Sequence, residues 1–332
     1  MKILVTGSEG FIGSHLVEKL VRAGHKVKST VLYNSFNNYG WLENIDRKIF
    51  KEIEICFGDI RDFHFIKRSM KNCDAVVHLA ALIGIPYSYL SPKSYVENNI
   101  NGTLNVLQAA KELQLSKVIH TSTSEVYGSA EFIPMTEKHP LKGQSPYAAS
   151  KIAADQLAKS FYLSYDTPVI TLRPFNTFGP RQSMRAIIPT IAGQILKNNQ
   201  TLDIGNIKTT RDFNYINDIC DGFLNTLKIK NKKIYGETIN LGSNKETSIE
   251  NLIKEISKII GVKVKVKVNK EKIRPSNSEV QRLCASNKKA KKLLNWKPKY
   301  LGKIGFSKAL EETIEWYRGN LKHLKNSNKY VV

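Results

Sequence analysis

Short apolar runs alternate with amphipathic stretches through the first half of the chain. Six runs have the length and composition of buried strands, and they cover residues 2–6, 27–32, 54–57, 75–79, 117–121 and 169–173. The residues between them carry apolar positions at helical spacing, as in FIGSHLVEKLVRAG after the first run. Strands that alternate with helices in this way predict an α/β fold with a doubly wound parallel sheet and right-handed crossovers.

The pattern changes near residue 176, where short helical and strand-like segments follow one another without the earlier alternation. We therefore predict a first domain over residues 1–175 and a smaller α+β lobe over residues 176–321, with some of that chain returning to the first domain. Residues 322–332 are predicted to be a basic tail. Within the lobe, the KVKVKV segment alternates lysine with valine, which predicts a half-buried strand with one solvated face.

The composition predicts a protein with a large core and no membrane contact. Of 332 residues, 41% are hydrophobic, yet no apolar run is long enough to span a bilayer. Met1-Lys2 leads directly into the first strand rather than into a signal peptide, so we expect a cytoplasmic protein. The four cysteines are isolated and do not accompany histidines at metal spacing, which favours core packing over a metal site.

The 51 basic and 29 acidic side chains give a net charge of +22, and such an excess is typical of nucleic-acid-binding proteins. The lysines are scattered, however, and their local density in KVKVKV alternates with valine as in a strand with one solvated face. We therefore predict no nucleic-acid partner and favour a small anionic substrate.

Three glycines follow the first predicted strand and lead into the first helix. Gly7, Gly10 and Gly13 form a G-x-x-G-x-x-G motif, and a second strand follows that helix. Glycine allows a tight turn and a close approach of the backbone to a ligand, and the amides at a helix N-terminus bind pyrophosphate. The motif therefore predicts a dinucleotide-binding domain of the Rossmann type.

A second candidate site lies in the segment QSPYAASKIAADQLA. Ser145 and Pro146 have the residue types of an N-cap and a first helical position, so a helix is predicted to begin there. Tyr147 and Lys151 would then lie one turn apart on one helix face. A neighbouring ammonium favours the phenolate, which predicts that Tyr147 acts as a base. The alternative is an ordinary helix with a packed tyrosine and a solvated lysine.

The order of motifs TGSEGFIGSH, HLAA, TSTSEVYG, YAASK and RPFNTFGPRQ resembles the extended short-chain dehydrogenase/reductase family over nearly the whole chain. The resemblance implies action on a nucleotide sugar with a tightly held nicotinamide cofactor. It implies that Tyr147 is the base, that Lys151 holds the phenolate and the nicotinamide ribose, and that Thr123 bonds the sugar hydroxyl. The implied cofactor-binding residues are Gly7, Gly10, Phe11, Ile12, Gly13, Asn34, Ser35, Asp59, Ile60, Leu79, Ala80, Ala81, Tyr147 and Lys151.

The triplet Thr123-Ser124-Glu125 bears on the reaction. The family's 4,6-dehydratases usually have Thr-Asp-Glu here, with the aspartate as acid and the glutamate as base, and serine is a poor proton donor at neutral pH. The triplet resembles that of UDP-glucuronate decarboxylases, whereas epimerases usually have small residues. VLYNSFNNYGWLENI and RPFNTFGPRQSMRAIIPTI instead resemble the N-acetylglucosamine 4,6-dehydratases of bacterial legionaminic acid biosynthesis. We predict a 4,6-dehydratase of UDP- or GDP-N-acetylglucosamine, with the decarboxylase as the alternative and the epimerase third.

The end of the second strand bears on the choice of cofactor. Sites for NAD usually have an acid there that binds the ribose 2′-hydroxyl, but no Asp or Glu stands between Lys26 and Trp41. Tyr33, Asn34 and Ser35 could accommodate a 2′-phosphate. The sequence therefore favours NADP slightly over NAD.

The resemblance also implies residues for the diphosphate of the substrate and an assembly. Cations and amides that bind a diphosphate are predicted at Asn176, Arg185, Arg211 and Arg274, although each arginine could equally form a surface ion pair. Helices at residues 94–113 and 147–164 are expected to form a homodimer through a four-helix bundle, and a tetramer is equally compatible. His78 and Trp296 are predicted to be packing residues.

Overall fold

The computed structural model describes residues 1–197 and 200–321, so the predicted basic tail lies outside the described residues. The strands in chain order are β1 (Lys2–Thr6), β2 (Lys26–Leu32), β3 (Glu54–Gly58), β4 (Ala75–His78), β5 (Lys117–Thr121), β6 (Val169–Pro174), β7 (Thr177–Phe178), β8 (Thr201–Ile204), β9 (Thr210–Arg211), β10 (Asn214–Tyr215), β11 (Thr238–Leu241), β12 (Thr247–Ser248) and β13 (Lys265–Val268). All six predicted strands are present, with ends that differ by at most one residue.

The α-helices are α1 (Phe11–Arg22), α2 (Arg47–Glu52), α3 (Phe63–Met70), α4 (Ile85–Leu90), α5 (Pro92–Tyr95), α6 (Gly102–Glu112), α7 (Pro146–Tyr165), α8 (Ile187–Leu196), α9 (Ile216–Lys228), α10 (Ile249–Ile260), α11 (Lys288–Leu294) and α12 (Gly302–Gly319). A π-helical segment, Val96–Asn101, joins α5 to α6. Short 3-10 helices lie at Gly40–Asn44, Ser124–Tyr127, Lys232–Ile234, Lys270–Lys272 and Ser276–Ser278. Among the described residues, no helix is long and apolar enough to cross a membrane.

Seven strands form one parallel sheet in the order β11-β6-β5-β4-β1-β2-β3. Helices cover both faces, which explains why every residue of β4 and β6 is buried and why these strands are nearly continuously apolar. Strand order reverses between β1 and β4, and a crevice at the carboxyl ends of the strands opens at such a reversal. This is the doubly wound parallel sheet that the alternating pattern predicts.

The chain beyond β6 forms small two-stranded sheets and also returns to the seven-stranded sheet. Strand β11 pairs with β6 as the seventh strand, while β8 pairs with β13 and β9 with β12 in small two-stranded sheets. Trp296 is 1% exposed, and its Nε1 donates to the Asp218 carbonyl at 2.7 Å, so it is a packing residue as predicted.

The prediction of a half-buried KVKVKV strand is wrong for its final residues. Strand β13 exposes all four of its residues, including Val266 and Val268. Strand β13 lies in a sheet of only two strands, so alternation of lysine and valine there does not mark a buried face.

Candidate active site

The glycine motif forms a tight loop between β1 and α1. Gly7 has a φ of +68°, and a Cβ there would lie 2.8 Å from the Cα of Ala80. A Cβ on Gly13 would lie 2.2 Å from the Gly7 carbonyl oxygen. The loop is therefore a cradle that side chains would fill, in front of the amides at the N-terminus of α1. The residues present fit a dinucleotide pyrophosphate.

The segment after β4 lies against this loop. The Thr6 hydroxyl accepts hydrogen bonds from the Leu79 and Ala80 amides, each at 3.2 Å, and bonds His78 Nδ1 at 2.7 Å. Nε2 of His78 lies 3.1 Å from the Thr103 hydroxyl, and burial lowers the pKa of His78 well below its usual value. His78 therefore joins β4 to its neighbours and is a packing residue, as predicted.

The other predicted cofactor residues line the same edge of the sheet, with different contacts. Asp59 follows β3 and pairs with the Arg61 guanidinium at 2.6 Å, which lowers the pKa of Asp59. Ile60 is buried against Gly102. The Asn34 side chain donates to the Asn38 carbonyl at 2.8 Å and makes three further bonds within its own loop, and Ser35 is exposed.

Helix α7 begins where the sequence predicts. The Ser145 hydroxyl accepts from the Ala148 amide at 3.1 Å, and Pro146 is the first helical residue. Tyr147 and Lys151 are 7% and 4% exposed, so the alternative of a solvated lysine is wrong. Lys151 Nζ donates to the Thr121 carbonyl at 2.7 Å, which fixes the ammonium at the end of β5.

Burial dominates the acidity of both groups. Burial raises the pKa of Tyr147, a hydrogen bond with Thr123 opposes this, and the charge of Glu125 raises it further. Burial lowers the pKa of Lys151 to about 8, against the charge of Asp155. The spacing of Tyr147 and Lys151 indicates only the neighbouring ammonium, whereas burial, which disfavours the charged form of both side chains, follows from the folded structure.

Glu125 lies in the turn that follows β5. The Thr123 hydroxyl accepts from the Glu125 amide at 3.2 Å and caps the 3-10 helix that begins at Ser124, which is itself buried. The Glu125 carboxylate is 3.8 Å from the Arg274 guanidinium, and its negative charge raises the pKa of Tyr147. The triplet therefore holds a carboxylate beside the tyrosine.

Residues beyond β6 bring two of the predicted arginines to this carboxylate. Arg211 is 7% exposed, lies 3.6 Å from Glu279, and is close enough to Glu125 and Arg274 for their charges to affect its pKa, which burial lowers. Arg274 Nη1 and Asn176 Oδ1 are buried without a hydrogen-bond partner among the described residues. These atoms suit a ligand that brings both donors and acceptors. Arg185 is exposed and lies near Gly84 and Tyr95, and the Tyr95 ring packs against that of Tyr147.

A buried network beneath the site was not predicted from the sequence. Asp155 accepts hydrogen bonds from the Ser122 hydroxyl at 2.7 Å and from Arg173 Nη2 at 2.8 Å, and it lies 2.9 Å from His120 Nε2. The network ties α7 to β5 and β6 and so fixes the helix that carries Tyr147. Its signal in the sequence was an aspartate one turn after Lys151 on the same helix face.

Asp155→Asn is expected to lower the free energy of unfolding at neutral pH by about 3 kcal/mol, because the Arg173 charge stays buried without its partner. Burial opposes ionisation of Asp155, but His120, Arg173 and Ser122 outweigh it and lower the pKa to about 2. The ionised Asp155 carboxylate therefore stabilises the folded protein fully above pH 3.8, the unfolded pKa, and this contribution is lost as the pH falls through about 2. The difference between wild type and variant should therefore shrink on acidification.

Chemical denaturation of both proteins over this pH range measures the effect. Asp166→Asn is the matched control, since Asp166 is exposed at the end of the same helix in a left-handed conformation that asparagine tolerates. The control should change the free energy of unfolding by less than about 0.5 kcal/mol. An Asp155→Asn variant as stable as the control would contradict the role of the network.

No group of three or more His, Cys, Asp or Glu side chains within residues 1–197 and 200–321 is arranged to hold a metal ion.

Comparison with protein families gives one matching model, described as GDP-mannose 4,6 dehydratase, over residues 4–312. The chain is 32% identical to the dTDP-D-glucose 4,6-dehydratase of Homo sapiens, across 99% of this chain and 93% of that one. It is 31% identical to a putative UDP-glucose 4-epimerase of Methanocaldococcus jannaschii, across 96% and 99% of the two chains. It is also 31% identical to the UDP-N-acetyl-alpha-D-glucosaminuronate decarboxylase of Bacillus cytotoxicus, across 96% and 98%.

Two solved structures illustrate the likeness in fold. The UDP-glucuronic acid 4-epimerase of Bacillus cereus, in complex with UDP-glucuronic acid and NAD, superposes with a TM-score of 0.86 at 29% identity, covering 96% of this chain and all of that one. The dTDP-glucose 4,6-dehydratase of Streptomyces venezuelae, with NAD bound, gives a TM-score of 0.84 at 28% identity, covering 98% of this chain and all of that one.

Proposed function

The chain belongs to the extended short-chain dehydrogenase/reductase family of NAD-dependent epimerases and dehydratases, and we propose that it is a nucleotide-sugar 4,6-dehydratase. The proposed substrate is UDP- or GDP-N-acetylglucosamine, and the product is the 4-keto-6-deoxy sugar, for synthesis of legionaminic acid-type sugars. The observation that carries the proposal is the Glu125 carboxylate, held beside Tyr147 by the Thr123 turn.

A carboxylate in this position suits elimination of water. Oxidation at carbon 4 makes the proton on carbon 5 acidic, and elimination then needs a base for that proton. An epimerase only removes and returns hydride at carbon 4, so it has no need of this base. The charge of Glu125 raises the pKa of the Tyr147 phenol, and the Thr123 hydroxyl forms hydrogen bonds with both residues.

The side chains divide the proton transfers among them. A nicotinamide, when bound, would supply the hydride acceptor. Tyr147 takes the proton of the 4-hydroxyl, and Thr123 bonds that hydroxyl. The positive charge of Lys151 would oppose the rise in the pKa of Tyr147 that burial causes. Glu125 takes the proton from carbon 5 and passes it to the departing 6-hydroxyl, and Ser124 orients that hydroxyl or a water. Hydride then returns to carbon 6 while Glu125 delivers a solvent proton to carbon 5, which gives the saturated 4-keto-6-deoxy sugar. One carboxylate thereby serves as base and then as acid.

Arginines from the smaller lobe would hold the nucleotide diphosphate. Arg211 and Arg274 carry planar guanidinium groups that suit phosphate oxygens, and the free amide oxygen of Asn176 can accept from the ligand. The arginine pair also lies by Glu125. This arrangement supports a diphosphate that lies across the opening of the site with its sugar directed to Tyr147.

The principal alternative is a UDP-glucuronate decarboxylase, and Ser124 is the observation that favours it. Loss of carbon dioxide needs no acid to expel water, so a serine in place of the usual aspartate would be no handicap. A 4-epimerase is the third candidate, and Glu125 counts against it.

One experiment separates these reactions. The purified protein is incubated with UDP-N-acetylglucosamine, GDP-N-acetylglucosamine or UDP-glucuronate, with NAD or NADP, and products are followed by mass spectrometry. We expect loss of one water from one of the N-acetylglucosamine nucleotides, which also identifies the nucleotide. Loss of carbon dioxide from the glucuronate would establish the decarboxylase instead. A change of sugar stereochemistry without change of mass, seen by NMR, would establish an epimerase.

We also propose a homodimer. Helices α6 and α7 expose apolar side chains to solvent, namely Leu104, Leu163 and Tyr165. Two such helices from each subunit would cover these side chains in a four-helix bundle.

A further inference from the structure

Glu9 links the glycine loop to the end of β2. It stands between Gly7 and Gly10, and its Oε1 accepts a hydrogen bond from the Leu32 amide at 3.0 Å. Its backbone carbonyl accepts from the Trp41 amide at 2.9 Å, at the far end of the loop that follows β2. One acidic residue of the motif therefore lies where the second strand ends.

The other oxygen of this carboxylate is unsatisfied. Oε2 of Glu9 is buried and has no hydrogen-bond partner in the part of the chain that the structure describes. Burial raises the pKa of Glu9, against the hydrogen bond from Leu32. The sequence has no Lys or Arg between Lys28 and Arg47, so the loop after β2 brings no cation to the carboxylate. A buried acceptor without a donor is costly, and a ligand hydroxyl would relieve that cost.

The end of β2 is where a Rossmann site distinguishes its cofactors. An acid at that position usually binds the ribose 2′-hydroxyl of NAD. In this chain the position near Val31 has no acid, and the Glu9 carboxylate reaches the adjacent Leu32 amide from the glycine loop. The Glu9 carboxylate therefore lies at the end of β2, although it comes from the glycine loop and not from the second strand.

We propose that Glu9 accepts a hydrogen bond from the adenosine ribose 2′-hydroxyl of NAD and excludes the 2′-phosphate of NADP. The assignment rests on the proposed function only in requiring a nicotinamide cofactor in this site. It reverses the preference for NADP that Asn34 and Ser35 suggest. The side-chain amide of Asn34 is already engaged in hydrogen bonds with the backbone of residues 32–38. Ser35 is exposed, and this loop contains no cation that could bind a phosphate.

The expected discrimination is electrostatic. A phosphate near pH 7 carries close to two negative charges, and a nearby buried carboxylate repels both. Like charges placed against the wrong ligand are an effective source of specificity. Glu9→Gln keeps an acceptor for the hydroxyl and removes the charge, so it should relax exclusion of NADP more than it weakens binding of NAD.

Competitive exchange on the full-length protein tests the assignment without any sugar. The protein is incubated with equal concentrations of NAD and NADP, free cofactor is removed, and the bound pair is quantified by mass spectrometry after denaturation. Wild type should retain NAD over NADP by about tenfold or more, and Glu9→Gln should reduce that ratio by about tenfold. Glu43→Gln is the matched control, because the exposed Glu43 carboxylate also accepts a backbone amide, that of Tyr39, in the same loop.

The outcomes separate the two proposals. Wild type that retains NADP as well as NAD would overturn the assignment, even if the variant failed to fold. If the ratio of retained NAD to NADP were unchanged in Glu9→Gln, the assignment would also be overturned. The same holds if Glu43→Gln reduced the ratio equally, since the loop rather than the Glu9 charge would then determine the cofactor preference. Wild type that retains neither cofactor would overturn the proposed function as well.

Discussion

Tyr147→Phe is expected to reduce turnover of the nucleotide sugar by about 10³-fold, because it removes the group that takes the proton of the 4-hydroxyl. The ring is retained, so its packing against Tyr95, with centroids 6.2 Å apart, should survive. Only the phenol hydroxyl and its hydrogen bond with Thr123 are lost. Steady-state assays of the identified substrate should show the loss in kcat rather than in KM.

Cofactor retention shows whether the loss is chemical. The variant should retain as much nicotinamide cofactor as wild type, since Lys151 keeps its bond to the Thr121 carbonyl at the end of β5. Addition of substrate should produce no absorbance of reduced nicotinamide, because the first step is blocked.

Tyr95→Phe is the matched control for this prediction. Tyr95 contacts the Tyr147 ring, and its hydroxyl donates to the Gly84 carbonyl, so the same atom is removed from a neighbouring side chain. The control should lose less than about tenfold in kcat, since its hydroxyl is already engaged by the backbone and lies outside the proposed proton transfers. Similar losses in both variants would indicate that any missing hydroxyl disturbs the pocket, and would contradict the assignment of Tyr147.

The sheet and the tyrosine helix are predictable from sequence because their signals are local. An apolar run such as β4 is buried on both faces, and the start of α7 depends on the Ser145 cap and on Pro146. The seventh strand, β11, is harder to predict, because nothing in its four residues distinguishes it from the strands of the two-stranded sheets. Its place depends on pairing with β6, which is distant in sequence.

The site is predictable where a motif is contiguous and less so where distant residues meet. Glu9 lies within the glycine motif, yet its proposed role depends on contact with Leu32 across the sheet edge. The role of Asp155 is equally hard to predict, because Asp155 lies on α7 while its partners His120 and Arg173 come from β5 and β6. The acidity of Tyr147 is hard to predict for a related reason, because the burial that raises its pKa is a property of the assembled fold.

Glu125→Gln is expected to abolish release of water, with a fall in product formation of about 10³-fold, while oxidation at carbon 4 continues. Glutamine keeps the shape of the side chain and its cap-forming turn but cannot take the proton from carbon 5. Reduced nicotinamide should therefore accumulate when substrate is added, which wild type would show only transiently. In heavy water, wild type should incorporate deuterium at carbon 5 of the product, and the variant should incorporate none into the recovered sugar.

Glu279→Gln separates this chemical role from the charge of the surrounding cluster. Glu279 lies 3.6 Å from Arg211, as Glu125 lies 3.8 Å from Arg274, and both carboxylates are largely buried. Loss of the Glu279 charge should alter KM through Arg211, yet leave water release and deuterium incorporation in place. If Glu125→Gln still released product at the normal rate, another group would have to serve as base and acid. The buried Ser124 cannot fill that role at neutral pH, so the dehydratase proposal would then fail at its central step.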